Sequence, residues 1–155
     1  MADIEKAGTE SPDYSALEKS LDDIVKPKAI VQKKILISDS SKTMAKFYQA
    51  LFGDMVSIRA TLTNNGLDTL KRLLVNEYNL LLTACEQDAL NGVALSKALR
   101  ASDSKNKHIP IILVCKSPCH EHVDMDNVLM IDRDNDLSKN ILTHITTLLQ
   151  LDNPA

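Results

Sequence analysis

Ile109-Pro110-Ile111-Ile112-Leu113-Val114-Cys115 is an apolar run too short for a helix and too uniform for a strand with one wet face. It reads as a strand buried on both sides, as in a parallel sheet covered by helices. Its proline stands at the start, where a missing ladder bond is tolerated. Working outward, Asn79-Leu80-Leu81-Leu82-Thr83-Ala84 and Ile35-Leu36-Ile37 are two more such runs, the latter ending in Ser38-Asp39-Ser40. Val128-Leu129-Met130-Ile131 is a fourth, and Val56-Ser57-Ile58-Arg59-Ala60 alternates like a more exposed strand. Between them lie helical spacings: Met44, Phe47, Tyr48, Leu51 closing near Gly53; Leu67, Leu70, Leu73, Leu74 after the turn Thr63-Asn64-Asn65-Gly66; and Val93, Leu95, Leu99 after Asn91-Gly92. A closing stripe runs through Leu137, Ile141, Ile145, Leu148 and Leu149, with Asn135 or Asp136 as its cap. Strands alternating with helices predict an α/β domain over residues 33–151: a doubly wound five-stranded, mostly parallel sheet with helices on both faces.

Residues 1–32 form an acidic extension ahead of that domain. Residues 1–30 carry seven acids and four lysines, whereas the remainder is balanced, so the net charge of -3 belongs to the extension. After a polar start, Ser11-Pro12 reads as a helix cap, and Leu17, Leu21, Ile24 and Val25 make one apolar side of a short helix that Pro27 stops. That side needs a surface, either the chain's own domain or a partner. The opening MADIEKAGTE lacks the basic and apolar parts of a secretory signal, and no apolar stretch is long enough to span a membrane. Three cysteines, Cys85, Cys115 and Cys119, suggest no paired framework, so a reducing, cytoplasmic location is expected. The balanced charge gives no reason to expect nucleic-acid binding.

Sheets of this kind place functional loops beyond the carboxyl ends of their strands. Asp39 is the acid that a Mg²⁺ or phosphoryl site would want there, but the matching end of the next buried strand is Ala84, which can neither accept a phosphoryl group nor ligate a metal. Glu86 and Asp88 follow in the loop. The plainer role for Asp39 is to cap the next helix. Cys115, Cys119, His120 and His122 have the wrong spacing for zinc, and Asp132, Asp134, Asp136 start like a calcium loop but meet Leu137 and Thr143 where glycine and glutamate belong. No phosphate-cradling glycine motif or nucleophile elbow is present, and neither a metal, a cofactor nor an enzymatic activity is expected.

From Lys34 to about Gln150 the order of elements resembles the receiver domain of bacterial response regulators, a flavodoxin-like fold. The resemblance rests on Ile35-Leu36-Ile37-Ser38-Asp39-Ser40-Ser41, on Tyr78-Asn79-Leu80-Leu81-Leu82-Thr83-Ala84 followed by Asn91-Gly92, and on the Ile-Pro-Ile start of the run at Ile109. It implies departures at the chemistry: Ser40 replaces one of two adjacent acids, and Ala84 replaces the phosphoacceptor aspartate. Cys115 stands at the switch hydroxyl, Lys116 at the small residue beside it, Val128 at the switch aromatic, and Asp132 in the region of the Lys-Pro pair. The pattern is similar to a degenerate pseudo-receiver. Such a resemblance implies a phosphorylation-independent signalling adaptor with a protein partner from signalling, chemotaxis or transcription, self-association into a homodimer being a further option. An unusual receiver or small flavodoxin-like enzyme using Asp39 with Glu86 or Asp88, and a purely structural domain, are the alternatives. Lys116 is expected to pair with Asp39, Glu86 or Asp88. Partner contact is expected on residues 117–130, with His120 and His122, and on the closing helix, where Leu148 and Leu149 could reach the surface; Leu17 and Leu21 are the competing site.

Overall fold

Successive strand residues serve two different hydrophobic cores, one on each face of the sheet. The computed structural model describes residues 31–116 and 123–151, and the chain divides between Val31 and Gln32. In the part that begins at Gln32, the strands are β1 (Lys33–Ser38), β2 (Ile58–Thr63), β3 (Leu80–Ala84), β4 (Ile111–Lys116) and β5 (Val128–Arg133). The helices are α1 (Lys42–Phe52), α2 (Gly66–Val75), α3 (Gly92–Arg100) and α4 (Leu137–Leu148). All the strand pairings are parallel, in the order β2-β1-β3-β4-β5. This is the five-stranded, helix-covered parallel sheet that the apolar runs predict.

Alternation along each strand assigns the faces. Ile35, Ile37, Leu80, Leu82, Ile112 and Val114 pack with Met44, Tyr48 and Phe52 of α1 and with Ile141 and Ile145 of α4. Leu36, Leu81, Ile111 and Leu113 pack on the other face with Leu73 of α2 and with Leu95 and Leu99 of α3. Side-chain caps start three helices: Ser41 accepts from the Met44 amide at 3.1 Å, Asn65 from Asp68 at 2.8 Å and Asn91 from Ala94 at 2.8 Å. Ser41, and not Asp39, is therefore the cap of α1. Asp136 stands at the cap position of α4 without a side-chain cap bond.

The expected surface role of Leu149 is corrected by the packing. It lies four residues beyond Ile145 and eight beyond Ile141, so it continues their stripe and is buried in the same core. Leu148 is half-buried against that core, and the exposed positions along α4 are polar: Lys139, Thr143 and Thr147. The calls on Leu17, Leu21, Cys119, His120 and His122 lie outside the described residues. Of residues 117–130, where partner contact is expected, Val123–Asn127 is irregular, with Asn127 at φ 61°. Arg100 fastens it by donating to the carbonyls of Asp126 at 3.1 Å and Asn127 at 3.3 Å. Among the described residues no helix is long and apolar enough to cross a membrane.

Candidate functional site

The chain leaves β1 toward one side of the sheet and β3 toward the other, so the ends of these two strands flank a topological switch point, where ligand sites of open α/β sheets form. The residues gathered there are Ser38, Asp39 and Ser40 from β1 and its loop, and Ala84 to Leu90 from β3 and its loop. Thr63 and Asn64 close one side and Cys115 and Lys116 the other.

Asp39 is buried, and its Oδ1 accepts from the Ser41 amide at 2.8 Å. Burial raises its carboxyl above the ordinary range, opposed by that hydrogen bond and by the positive charge of Arg133 at the end of β5. Ser40 is committed on both of its capacities: its hydroxyl donates to the Asn64 carbonyl at 2.8 Å and accepts from the Asp88 amide at 2.8 Å. Beneath them, Ser38 donates to Gln87 Oε1 at 2.7 Å, and Gln87 Nε2 donates to Thr83 Oγ1 and the Leu90 carbonyl at 3.1 Å each. Thr69 of α2 completes this buried set by donating to Ser38 Oγ at 2.6 Å. The set ties the β3–α3 loop to the end of β1.

Ala84 is buried and pairs in register with Val114. Gly92 faces it so closely that a Cβ there would overlap the Ala84 carbonyl oxygen, which explains why α3 begins with a residue lacking a side chain. Glu86 extends outward to Lys116, with Oε1 and Nζ 3.9 Å apart and the side chains 81% and 71% exposed. Exposure makes this pair energetically weak. Asp88 is exposed, and Asp132 is half-buried on β5 opposite Cys115.

The cysteine reading needs the largest correction. Cys85 and Cys115 are joined in a disulfide, although they are 30 residues apart in sequence. Two of the three cysteines are therefore paired, where the sequence suggested no paired framework. Parallel pairing of β3 with β4 sets Ala84 beside Val114, so the next residue of each strand comes together, with Cα atoms 5.1 Å apart. Register, not spacing in sequence, creates the pair. Arg133 is a second residue whose part at the site sequence reading left undefined; its sole signal was its place at the end of the last apolar run.

Comparisons with known proteins bear on this arrangement. No protein-family model matches the chain. Chemotaxis protein CheY-3 of Vibrio cholerae serotype O1 is 28% identical over 97 residues, covering 61% of this chain and 74% of that protein. Chemotaxis protein CheY of Pseudomonas aeruginosa is 30% identical over 81 residues, covering 52% of this chain and 64% of that protein. Among solved structures, the receiver domain of the Pseudomonas aeruginosa sensor histidine kinase PA1611 superposes with a TM-score of 0.67 at 14% identity, over 77% of this chain and 98% of that one. The receiver domain of Francisella response regulator 1452 gives 0.63 at 21% identity, with the same coverage. The chain has the CheY-like receiver fold.

A receiver fold implies a divalent-cation site at this switch point, and the residues present do not fit one. An octahedral Mg²⁺ site draws on one or two carboxylates plus waters and phosphate oxygens. Here one oxygen of Asp39 is held by a backbone amide, Ser40 supplies no carboxylate and has its hydroxyl engaged, and Ala84 offers no side-chain donor. Among the described residues no three metal-ligating side chains converge.

Proposed function

We propose that this chain is a cytoplasmic signalling module on a receiver fold, acting by binding another protein independently of aspartyl phosphorylation. The observation that carries the reading is the conjunction at the switch point: an intact sheet delivers Ala84 to the strand end beside Asp39, and the neighbouring polar groups are spent on one another. Phosphoryl transfer to a carboxylate needs an acceptor positioned within reach and charge stabilisation aimed at it. Glu86 points outward to Lys116, and Asp88 contributes its backbone to the loop. The relatives named as chemotaxis proteins supply the context, a signalling partner recognised through the domain surface.

Incubation with Mg²⁺ and acetyl phosphate, followed by intact-mass measurement, is expected to leave the chain unmodified. A stable phosphoryl adduct on Asp39, Glu86 or Asp88 would overturn the reading. In parallel, wild-type and Asp39→Asn baits are expected to capture the same signalling component from the native cell; loss of that component with a folded Asp39→Asn bait counts against it.

A further inference from the structure

We infer that Cys85 and Cys115 form a reversible thiol–disulfide site whose state sets how firmly the loop after β3 is held at the switch point. The bond occupies a particular place. Cys85 is the first residue beyond β3, and Cys115 is the next-to-last residue of β4; both are buried in the core under α2 and α3. The Cys85 backbone is fixed on both sides, its amide donating to the Val114 carbonyl of β4 at 3.0 Å and its carbonyl accepting from the Gly92 amide at 2.9 Å. The covalent link therefore closes the base of the loop that runs from Cys85 to Leu90. Three contacts at the floor of the site come from that loop: Gln87 with Ser38, the Asp88 amide with Ser40, and the Asp88 carbonyl with the Gly66 amide at 3.0 Å. Ala89 within it adopts φ 71°, a left-handed conformation that its surroundings must hold in place.

The inference rests on the cytoplasmic signalling reading proposed above, which the pairing leaves to stand on the receiver fold and not on the cysteines; persistent structural disulfides are rare in that compartment, so the pair is assigned a redox-responsive role. The oxidant class that suits so buried a pair is a small hydroperoxide. One cysteine, as thiolate, attacks a peroxide oxygen; the S–O bond forms, the O–O bond breaks, and the departing hydroxide takes up a proton as water. The second thiol then attacks the sulfenic sulfur; the S–S bond forms, the S–O bond breaks, and a second water leaves. In sum two thiols lose two electrons and two protons to one hydrogen peroxide, giving the disulfide and two waters. A small dithiol reverses the step by exchange. The switch position matched by resemblance, Cys115, is thereby coupled through sulfur to Cys85, the residue that follows the matched acceptor position Ala84. This inference stands apart from the acetyl phosphate test, because its readouts are thiol count and loop protection.

The full chain is reduced with dithiothreitol, freed of reductant, and treated with stoichiometric hydrogen peroxide. Intact mass, thiol alkylation and peptide mapping are then read with and without renewed reduction. The expected result is loss of two hydrogens, a mapped Cys85–Cys115 link, and its full reversal; Cys119→Ser behaves identically. Cys85→Ala and Cys115→Ala, which avoid placing a hydroxyl in the core, are expected to lose the link. Hydrogen exchange at Cys85, Asp88 and Gly92 is expected to quicken about tenfold on reduction, while the amides of β1 stay protected. Three results overturn the inference: wild-type thiols that all remain alkylatable after peroxide, a link that maps to Cys119 instead, or a Cys85–Cys115 link whose reduction leaves loop exchange unchanged. Peptide mapping on the wild-type chain decides the matter even if an alanine variant fails to fold.

Discussion

Two buried oxygens under α1 make opposite demands on the fold. Asp39 carries a carboxyl whose pKa burial raises, the Ser41 amide and Arg133 compensating in part. A group raised in this way contributes stability that is fully present below its unfolded value and lost as pH rises through its folded value. At neutral pH the ionised carboxylate is therefore a net burden. Asp39→Asn, which keeps an oxygen for the Ser41 amide, is expected to raise Tm at pH 7. The difference from wild type should shrink to zero as pH falls below the ordinary carboxylate range. A variant with lower Tm than wild type at pH 7 would show that the charge stabilises the site. Tyr48 is the second case: its hydroxyl is buried with no hydrogen-bond partner among the described residues, and burial pushes its ionisation well up. An unsatisfied buried hydroxyl costs about 1–3 kcal/mol, so Tyr48→Phe is expected to be neutral or to stabilise by about 1 kcal/mol in urea unfolding. Destabilisation by that amount would mean that the hydroxyl has a partner in solution.

Loops, more than strands, decide how the elements lock together. Asn106 is buried between the α2–β3 and α3–β4 loops, and its amide group is fully used. Its Nδ2 donates to the carbonyls of Leu73 at 2.7 Å and Asn76 at 2.6 Å, and its Oδ1 accepts from the Tyr78 amide at 2.8 Å. Asn106→Ala strands the Asn76 carbonyl and the Tyr78 amide, while the Leu73 carbonyl keeps the Ser104 hydroxyl as donor, and is expected to cost roughly 3 kcal/mol, read as a fall in the urea midpoint at unchanged m. A loss below about 1 kcal/mol would mean that water replaces the amide. Asn106 was invisible in the sequence because Ser102 to His108 is uniformly polar, and nothing local marks the one residue turned inward. The strands were legible for the opposite reason. Burial on both faces demands unbroken runs such as Leu80-Leu81-Leu82, which no surface element needs. Asn91-Gly92 was readable as a helix start, whereas Asn65 read as a turn and proved to be a cap, since the two uses share the same residue types. The Cys85–Cys115 pair lay beyond sequence reading because strand register alone brings the two together. That the third strand ends at Ala84 was legible, because it needed only the end of one apolar run.

At the scale of the molecule, the sheet is the shared wall of two cores, and its central strands belong to both. Leu81 and Leu82 are neighbours on β3, yet Leu81 faces α2 and α3 while Leu82 faces α1 and α4; both are completely buried. Truncating either to alanine removes the same chemistry from opposite faces, and each is expected to cost roughly 3 kcal/mol, within the 2–5 kcal/mol range for buried leucine. Because β3 pairs with both β1 and β4, a face cannot come apart without loosening strands that the other face also needs. Unfolding should therefore remain a single transition in both variants. The chain offers a convenient pair of probes. It has no tryptophan, and of its described tyrosines Tyr48 belongs to one core and Tyr78 packs against the other. Tyrosine fluorescence and far-ultraviolet circular dichroism are expected to give coincident urea midpoints for wild type, Leu81→Ala and Leu82→Ala. In a Tyr48→Phe background the remaining fluorescence should share its midpoint with the circular dichroism of that same variant. If Leu82→Ala instead splits the transition, with circular dichroism lost in two steps and the Tyr78 signal following only the second, the two faces fold as separate units. The sheet would then be a boundary between them and not their common support.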